Sequence, residues 1–213
     1  MGHDGHDHDH DHGHSHGHGH SHGHDHDHQH GHDHDHHHGA GHEHGHSHAA
    51  DEHKAHAPVH VSTFVVTCSD SRGEARDDSG RVLREGLEAA GHTVCGYRVV
   101  RDEAEGIRAA LSEAQAAGAR AVLFNGGTGI GRRDVTVETL QPLFEKTLPG
   151  FGELFRALSY RDIGSPAMMS RAVAGTYQGM VVFALPGSPQ AVRLALEKLI
   201  LPELGHAVRE LTR

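Results

Sequence analysis

From residue 61 onward the chain alternates short apolar runs with longer stretches in which apolar residues recur every three or four positions. Residues 61–67 are rich in β-branched side chains and predict a first strand. Val82, Leu83 and Leu87 mark one face of a helix closing at Gly91, with Asp78 or Ser79 placed to cap its start. A second strand is predicted over Thr93–Val100, then a helix carrying Ile107, Leu111 and Ala114 and ending at Gly118, then a third strand over Ala121–Asn125. Helical spacing resumes over residues 137–148. Pro149-Gly150-Phe151-Gly152-Glu153 reads as an interruption, followed by a helical stretch over 154–158. Ser165-Pro166 has the form of a cap followed by proline at the first helical position. Residues 172–176 and Met180–Leu185 predict a strand pair joined by Tyr177-Gln178-Gly179, and Met168 and Met169 read as core filling. Pro186-Gly187-Ser188-Pro189 repeats the cap-then-proline arrangement. The last helix carries Val192, Leu196, Leu199 and Ile200 on one face, and Pro202 is expected to bend or divide it.

Strands alternating with helices at this spacing predict an α/β domain with a parallel sheet covered on both faces. In such sheets ligands collect beyond the carboxyl ends of the strands. Ser69-Asp70, Asp102 and the stretch from Gly126 to Asp134 all follow predicted strand ends, so one crevice can gather them. Gly126-Gly127-Thr128-Gly129 empties an apolar strand into a helix, the usual frame for a phosphate, because glycines let backbone N–H groups approach an anion. No Gly-Lys-Ser/Thr follows and the third glycine of the dinucleotide fingerprint is absent. By spacing alone, a glycine turn serving only the backbone stands beside phosphate binding. Pro186, Gly187 and Ser188 offer a second helix start for an anion.

Composition divides the chain. Of 28 histidines, 23 lie in residues 1–48, alternating with Asp, Gly and Ser, as in His6, His8, His10 and His12, His26 and His28, and His34 with the triplet His36, His37, His38. With few apolar side chains to bury, this segment cannot offset its chain entropy and is expected to be disordered. Imidazoles interleaved with carboxylates suit nickel, zinc, cobalt or copper. Residues 49–59 read as a linker, leaving 60–213 as the folded domain. The formal charge of −10 comes entirely from residues 1–54, and residues 55–213 balance 18 basic against 18 acidic side chains. Neither part is a basic nucleic-acid surface. No apolar run is long enough to span a membrane, and the N-terminus lacks a secretory core, so the cytoplasm is the expected compartment. Cys68 and Cys95 read as buried free thiols.

Ser69-Asp70-Ser71-Arg72, Asp77-Asp78-Ser79-Gly80, Asp102-Glu103, the glycine loop with Arg133-Asp134-Val135-Thr136, Pro149-Gly150-Phe151-Gly152-Glu153 and Pro186-Gly187-Ser188-Pro189 together resemble the MoaB/Mog family of molybdenum cofactor biosynthesis proteins. The resemblance spans residues 60–205. It is closer to the MoaB branch, on Phe151-Gly152-Glu153-Leu154-Phe155-Arg156 and Ser170-Arg171-Ala172. It implies a three-layer αβα sandwich with a mostly parallel sheet, assembled as a homotrimer or homohexamer. The implied activity is Mg-ATP-dependent adenylylation of molybdopterin, giving adenylyl-molybdopterin and pyrophosphate, with a molybdenum-insertion protein as a further partner. It assigns Asp102 and Asp134 to catalysis, holding Mg²⁺ through water. Ser69, Asp70, Ser71, Gly126, Gly127, Thr128, Gly129, Arg133, Pro186, Gly187 and Ser188 are assigned to the nucleotide and pterin. Two alternatives stand beside this reading. One is a non-catalytic molybdopterin-binding protein, and the other a metal storage or delivery protein acting through the histidine tail, which lies outside the family core.

Overall fold

The computed structural model describes residues 60–70 and 76–213. Ser71 and the histidine tail, with every metal-ligand expectation placed on it, lie outside the described residues. The chain runs β1 (Ser62–Cys68), α1 (Asp78–Ala89), β2 (Thr93–Val100), α2 (Ala104–Ala116), β3 (Ala121–Asn125), α3 (Thr136–Leu140), β4 (Lys146–Thr147), α4 (Pro149–Ile163), β5 (Val173–Tyr177), β6 (Met180–Leu185), α5 (Pro189–Ala195) and α6 (Leu201–Glu210). Its six strands form one sheet in the order β2-β1-β3-β6-β5-β4. The first three pairings along that order are parallel and the last two antiparallel. The mostly parallel α/β sheet is therefore as expected.

The central strands β1, β3 and β6 are buried on both faces. Val65, Leu123, Val181 and Phe183 pack with α1, α4, α5 and α6. Phe64, Val66, Val122, Phe124 and Val182 pack with α2 and with Leu140 of α3. Every residue of β3 is buried, which explains why its sequence is a continuous apolar run rather than an alternation. The order in which successive strands are laid across the sheet reverses at β1, whose neighbours are β2 on one side and β3 on the other. The loops after β1 and β3 therefore diverge at a topological switch point.

Several local expectations are corrected. The helix foreseen over 137–148 lasts only for Thr136–Leu140. Pro142 sits in the 3-10 turn Gln141–Leu143, Phe144 is extended, and Lys146–Thr147 joins the sheet beside β5. A proline cannot donate to the preceding turn, and the Phe144 ring gains its place against Gly175, where any Cβ would overlap it. Conversely, Pro149 does not interrupt the chain but opens α4, because proline suits the first helical turn. Asp77, not Asp78 or Ser79, caps α1, accepting from Gly80 N at 2.9 Å. Ser165–Met169 is a 3-10 turn entered through Gly164 at φ 69°, and it leaves Met168 81% and Met169 51% exposed rather than in the core. Cys95 is only half-buried. The β5–β6 hairpin forms as expected, turning through Gln178 and Gly179 at φ 46° and 76°. Pro202 divides the final helical run as foreseen, with the wider π turn Leu196–Ile200 absorbing the lost hydrogen bond.

Candidate functional site at the carboxyl ends of the strands

A cleft of about 590 Å³ opens where β1, β3 and β6 end. Its floor and near wall comprise Ser69 and Asp70 after β1, Asp102 after β2, Gly126, Gly127, Thr128, Gly129 and Asp134 after β3, and Pro186, Gly187 and Ser188 after β6. These separate segments of sequence meet because parallel strands deliver their carboxyl ends to the same edge. The far wall is supplied by Phe155, Ser159 and Ile163 of α4 and by Pro166, Ala167 and Met169 of the 3-10 turn. Nothing in the sequence marks that wall as functional, since its residues look like ordinary helix and turn positions.

Glycine is required at the floor. Gly126 has φ 92°, and a Cβ there would overlap the Cys68 carbonyl oxygen. Gly127 has φ 62°, and its Cβ would overlap the Asp102 carboxylate and Thr136 Oγ1. Gly126 N donates to Leu185 O at 3.0 Å, tying the loop to the end of β6, and Thr136 N donates to Gly127 O at 3.0 Å. Among the described residues, the N–H groups of Gly127, Thr128 and Gly129 have no acceptor. The start of α3 is different: Val135 N and Thr136 Oγ1 both donate to Asp102 Oδ1, at 3.3 and 3.5 Å. A carboxylate from the loop after β2 thus occupies the helix start that the sequence assigned to phosphate, leaving the loop amides for an anion.

Asp134 closes the loop on itself. Its N–H donates to Gly131 O at 3.1 Å and its Oδ2 accepts from Gly131 N at 2.8 Å. Arg133 does not line the cleft. Its Nε donates to Asp70 Oδ2 at 2.6 Å at the rim, and Asp70 Oδ1 accepts from Asp102 N at 3.4 Å. The hydrogen bond from Arg133 holds Asp70 below the usual carboxylate range. Burial instead raises Asp102, with further contributions from the charges of Asp134 and Asp70. Burial also pushes the Cys68 thiol up to about 12, so this cysteine beneath the loop is a protonated, inert packing group. Ser188 caps α5 by accepting from Ala191 N at 3.3 Å, which uses one donor of the second predicted anion site.

Beneath the floor lies a buried polar chain that sequence reading missed. Asn125 Nδ2 donates to Thr67 Oγ1 at 2.8 Å and to Val66 O at 3.2 Å. Thr67 Oγ1 donates to Asp77 Oδ2 at 2.5 Å, and Tyr97 OH donates to the same oxygen at 2.6 Å. Ser79 Oγ donates to Gly187 O at 2.7 Å, joining the start of α1 to the loop after β6. Arg171 was noticed only as part of a resemblance. Here it holds Thr128 O and Asp134 O and pairs with Glu138.

Comparison with known proteins agrees with this arrangement. The model of the family described as "Probable molybdopterin binding domain" matches residues 59–206, and Molybdenum cofactor biosynthesis protein B of Bacillus subtilis (strain 168) is 52% identical over 164 residues, 76% of this chain and 96% of that protein. The chain belongs to the MoaB/Mog family of molybdenum cofactor biosynthesis proteins. Among MoaB structures, the tungsten cofactor synthesizing protein MoaB from Pyrococcus furiosus is 42% identical with a TM-score of 0.69, covering 74% of this chain and 100% of that one. The Mog protein from Mycobacterium ulcerans superposes with a TM-score of 0.65 but is only 27% identical, covering 71% and 99%. The higher identities place this MoaB/Mog chain on the MoaB side, as Ser170-Arg171-Ala172 and the start of α4 led one to expect.

Proposed function

We propose that this chain acts in molybdenum or tungsten cofactor biosynthesis by adenylylating molybdopterin. In that reaction an oxygen of the molybdopterin terminal phosphate attacks the α-phosphorus of ATP. The bond from that phosphorus to the bridging oxygen of the β-phosphate breaks, and pyrophosphate leaves with the bond's electron pair. The observation that carries the reading is the convergence of unpartnered Gly127, Thr128 and Gly129 N–H groups with two carboxylates, Asp102 and Asp134, in one cleft. Transfer of this kind asks the protein for positioning and charge neutralisation more than covalent help.

The donor set fits magnesium. Asp102 is raised first by burial and then by the nearby charges of Asp134 and Asp70, so three carboxylates gather at the loop, as suits a cation. No group of three or more metal-ligating side chains occurs among the described residues, so a hard ion would complete its shell with water and phosphate oxygens. Bound there by Asp102 and Asp134, it would neutralise phosphate charge. The loop amides would hold phosphate oxygens, and Gly131 N fixes the Asp134 carboxylate. The apolar far wall around Phe155 and Met169 would exclude water and face the pterin.

Release of pyrophosphate from ATP and molybdopterin tests the proposal. Asp134→Asn is expected to remain folded and to lose on the order of 10²- to 10³-fold in kcat, the usual effect of removing one electrostatic stabiliser. Undiminished turnover in that variant would remove Asp134 from the mechanism. A wild-type protein that binds molybdopterin yet releases no pyrophosphate would favour the non-catalytic reading. A second activity is favoured by the sequence outside this domain: the 23 histidines of residues 1–48 are proposed to bind nickel, zinc, cobalt or copper exchangeably.

A further inference from the structure

The segment from Gly129 to Arg133 is exposed, Ile130 73% so, and its internal closure consists of the two contacts between Gly131 and Asp134. Those contacts shape a turn but do not fix it against the rest of the domain, to which Arg133 ties its outer arm by an exposed pair with Asp70. A single side chain reaches both of its shoulders. Arg171 Nε donates to Thr128 O at 3.1 Å and Arg171 Nη2 to Asp134 O at 3.4 Å. The outer edge of the same guanidinium meets Glu138 of α3 through both of its terminal nitrogens. Arg171 itself is anchored, since it immediately precedes buried Ala172 and β5.

We propose that Arg171 is a positioning residue that locks the glycine loop, setting the free amides of Gly127 to Gly129 and the Asp134 carboxylate relative to the cleft. The Arg171–Glu138 pair is partly exposed, with side chains 30% and 55% accessible, and pairs of that kind contribute little to stability. What Arg171 contributes to the loop is its remaining donors, which meet two carbonyls of that loop. A lysine has neither the plane nor enough directed donors to repeat this. The contacts with the loop carbonyls explain why a charged side chain stands just before β5.

The kinetic part of the test rests on the adenylyltransfer reading, whereas the proteolytic part does not. Trypsin cleavage of the full chain after Arg132 and Arg133 reports how often the loop opens. Arg171→Met is expected to speed that cleavage by at least ~10-fold with the melting temperature and cleavage elsewhere unchanged, while Glu138→Gln, which keeps both carbonyl bonds, stays within about threefold of wild type. Arg171→Lys should resemble the methionine variant. If the protein turns over ATP, kcat should fall at least ~10-fold in Arg171→Met and Arg171→Lys alike, with a smaller change in KM for ATP. Unchanged cleavage after Arg132 and Arg133 in Arg171→Met would overturn the proposal. Equal cleavage in Glu138→Gln and Arg171→Met would also overturn it, by making the ion pair the cause. Loss of turnover in the wild type leaves the proteolytic outcome decisive and bears only on the proposed reaction.

Discussion

Asp102 is held by groups that would suit a neutral oxygen as well as a charged one. Its Oδ1 accepts from Val135 N and Thr136 Oγ1, while burial and the nearby charges of Asp134 and Asp70 raise its pKa above the ordinary 3.8. A carboxyl raised in the folded state favours folding most when protonated. That contribution is complete below the unfolded value and is lost as pH rises through the raised one. At neutral pH the ionised side chain therefore costs stability that the site retains for its chemistry. Asp102→Asn keeps an acceptor for Val135 N without the charge. It should melt at or above the wild-type temperature at pH 7, with the difference closing as the pH approaches about 4, while turnover is lost. Thermal melts across that range check the sign, and a variant that melts well below wild type at pH 7 would show that the charge itself holds the loop.

At the scale of elements, the junction of α1 with β1 and β2 depends on one side chain. Asp77 is only 4% exposed and accepts from Gly80 N, Thr67 Oγ1 and Tyr97 OH, so it is at once a helix cap and the link between two neighbouring strands. Arg84 adds its guanidinium over the Tyr97 ring at 4.3 Å from the ring centre. Asp77→Ala removes the cap and the acceptor shared by the buried Thr67 hydroxyl and the half-buried Tyr97 hydroxyl. Chemical denaturation should show a loss of about 3 kcal/mol, the cap contributing about 1 and the two lost hydroxyl–carboxylate bonds the rest. The same region shows what was legible beforehand. The strands β1, β2 and β3 were read within a residue of their bounds, because continuous β-branched and apolar runs have little alternative to a buried parallel strand. The capping role was placed one or two residues late, because Asp77, Asp78 and Ser79 are all competent caps and only the position of Thr67 and Tyr97 selects between them. The stretch 137–148 misled for a related reason. Its spacing is helical, yet Phe144 and Thr147 are worth more against β5 than in a helix.

For the whole molecule, two chemically unlike parts share one chain. The domain carries no net charge outside residues 1–54, no helix among the described residues is long and apolar enough to cross a membrane, and the cleft is built wholly from residues beyond position 67. Removing residues 1–54 is therefore expected to leave the melting temperature of the domain and its pyrophosphate release unchanged. It should abolish the binding of several nickel or zinc ions that calorimetry is expected to register with the full chain at pH 7. Because imidazole ligates only when neutral, that binding should weaken as the pH falls below about 6.5. Equal metal uptake by the shortened chain would place the ligands in the domain instead.

What the sequence determined by itself was local and periodic. Runs of apolar residues specified the buried strands, and glycines specified where backbone comes too close for a side chain. Strand ends specified which acids could share a crevice, and the clustering of histidines set residues 1–48 apart in composition from the domain. These features depend on neighbours along the chain, so they survive without knowledge of the fold. Tertiary structure decided which of several competent groups does each task. It gave the start of α3 to Asp102 rather than to a phosphate, drew Arg133 out to Asp70, and exposed Met168 and Met169 on a 3-10 turn, Met169 along the cleft. It also brought Arg171 across 43 residues of sequence to the carbonyl of Thr128. Such choices follow from distances between segments remote in sequence, where a difference of one ångström separates a hydrogen bond from none.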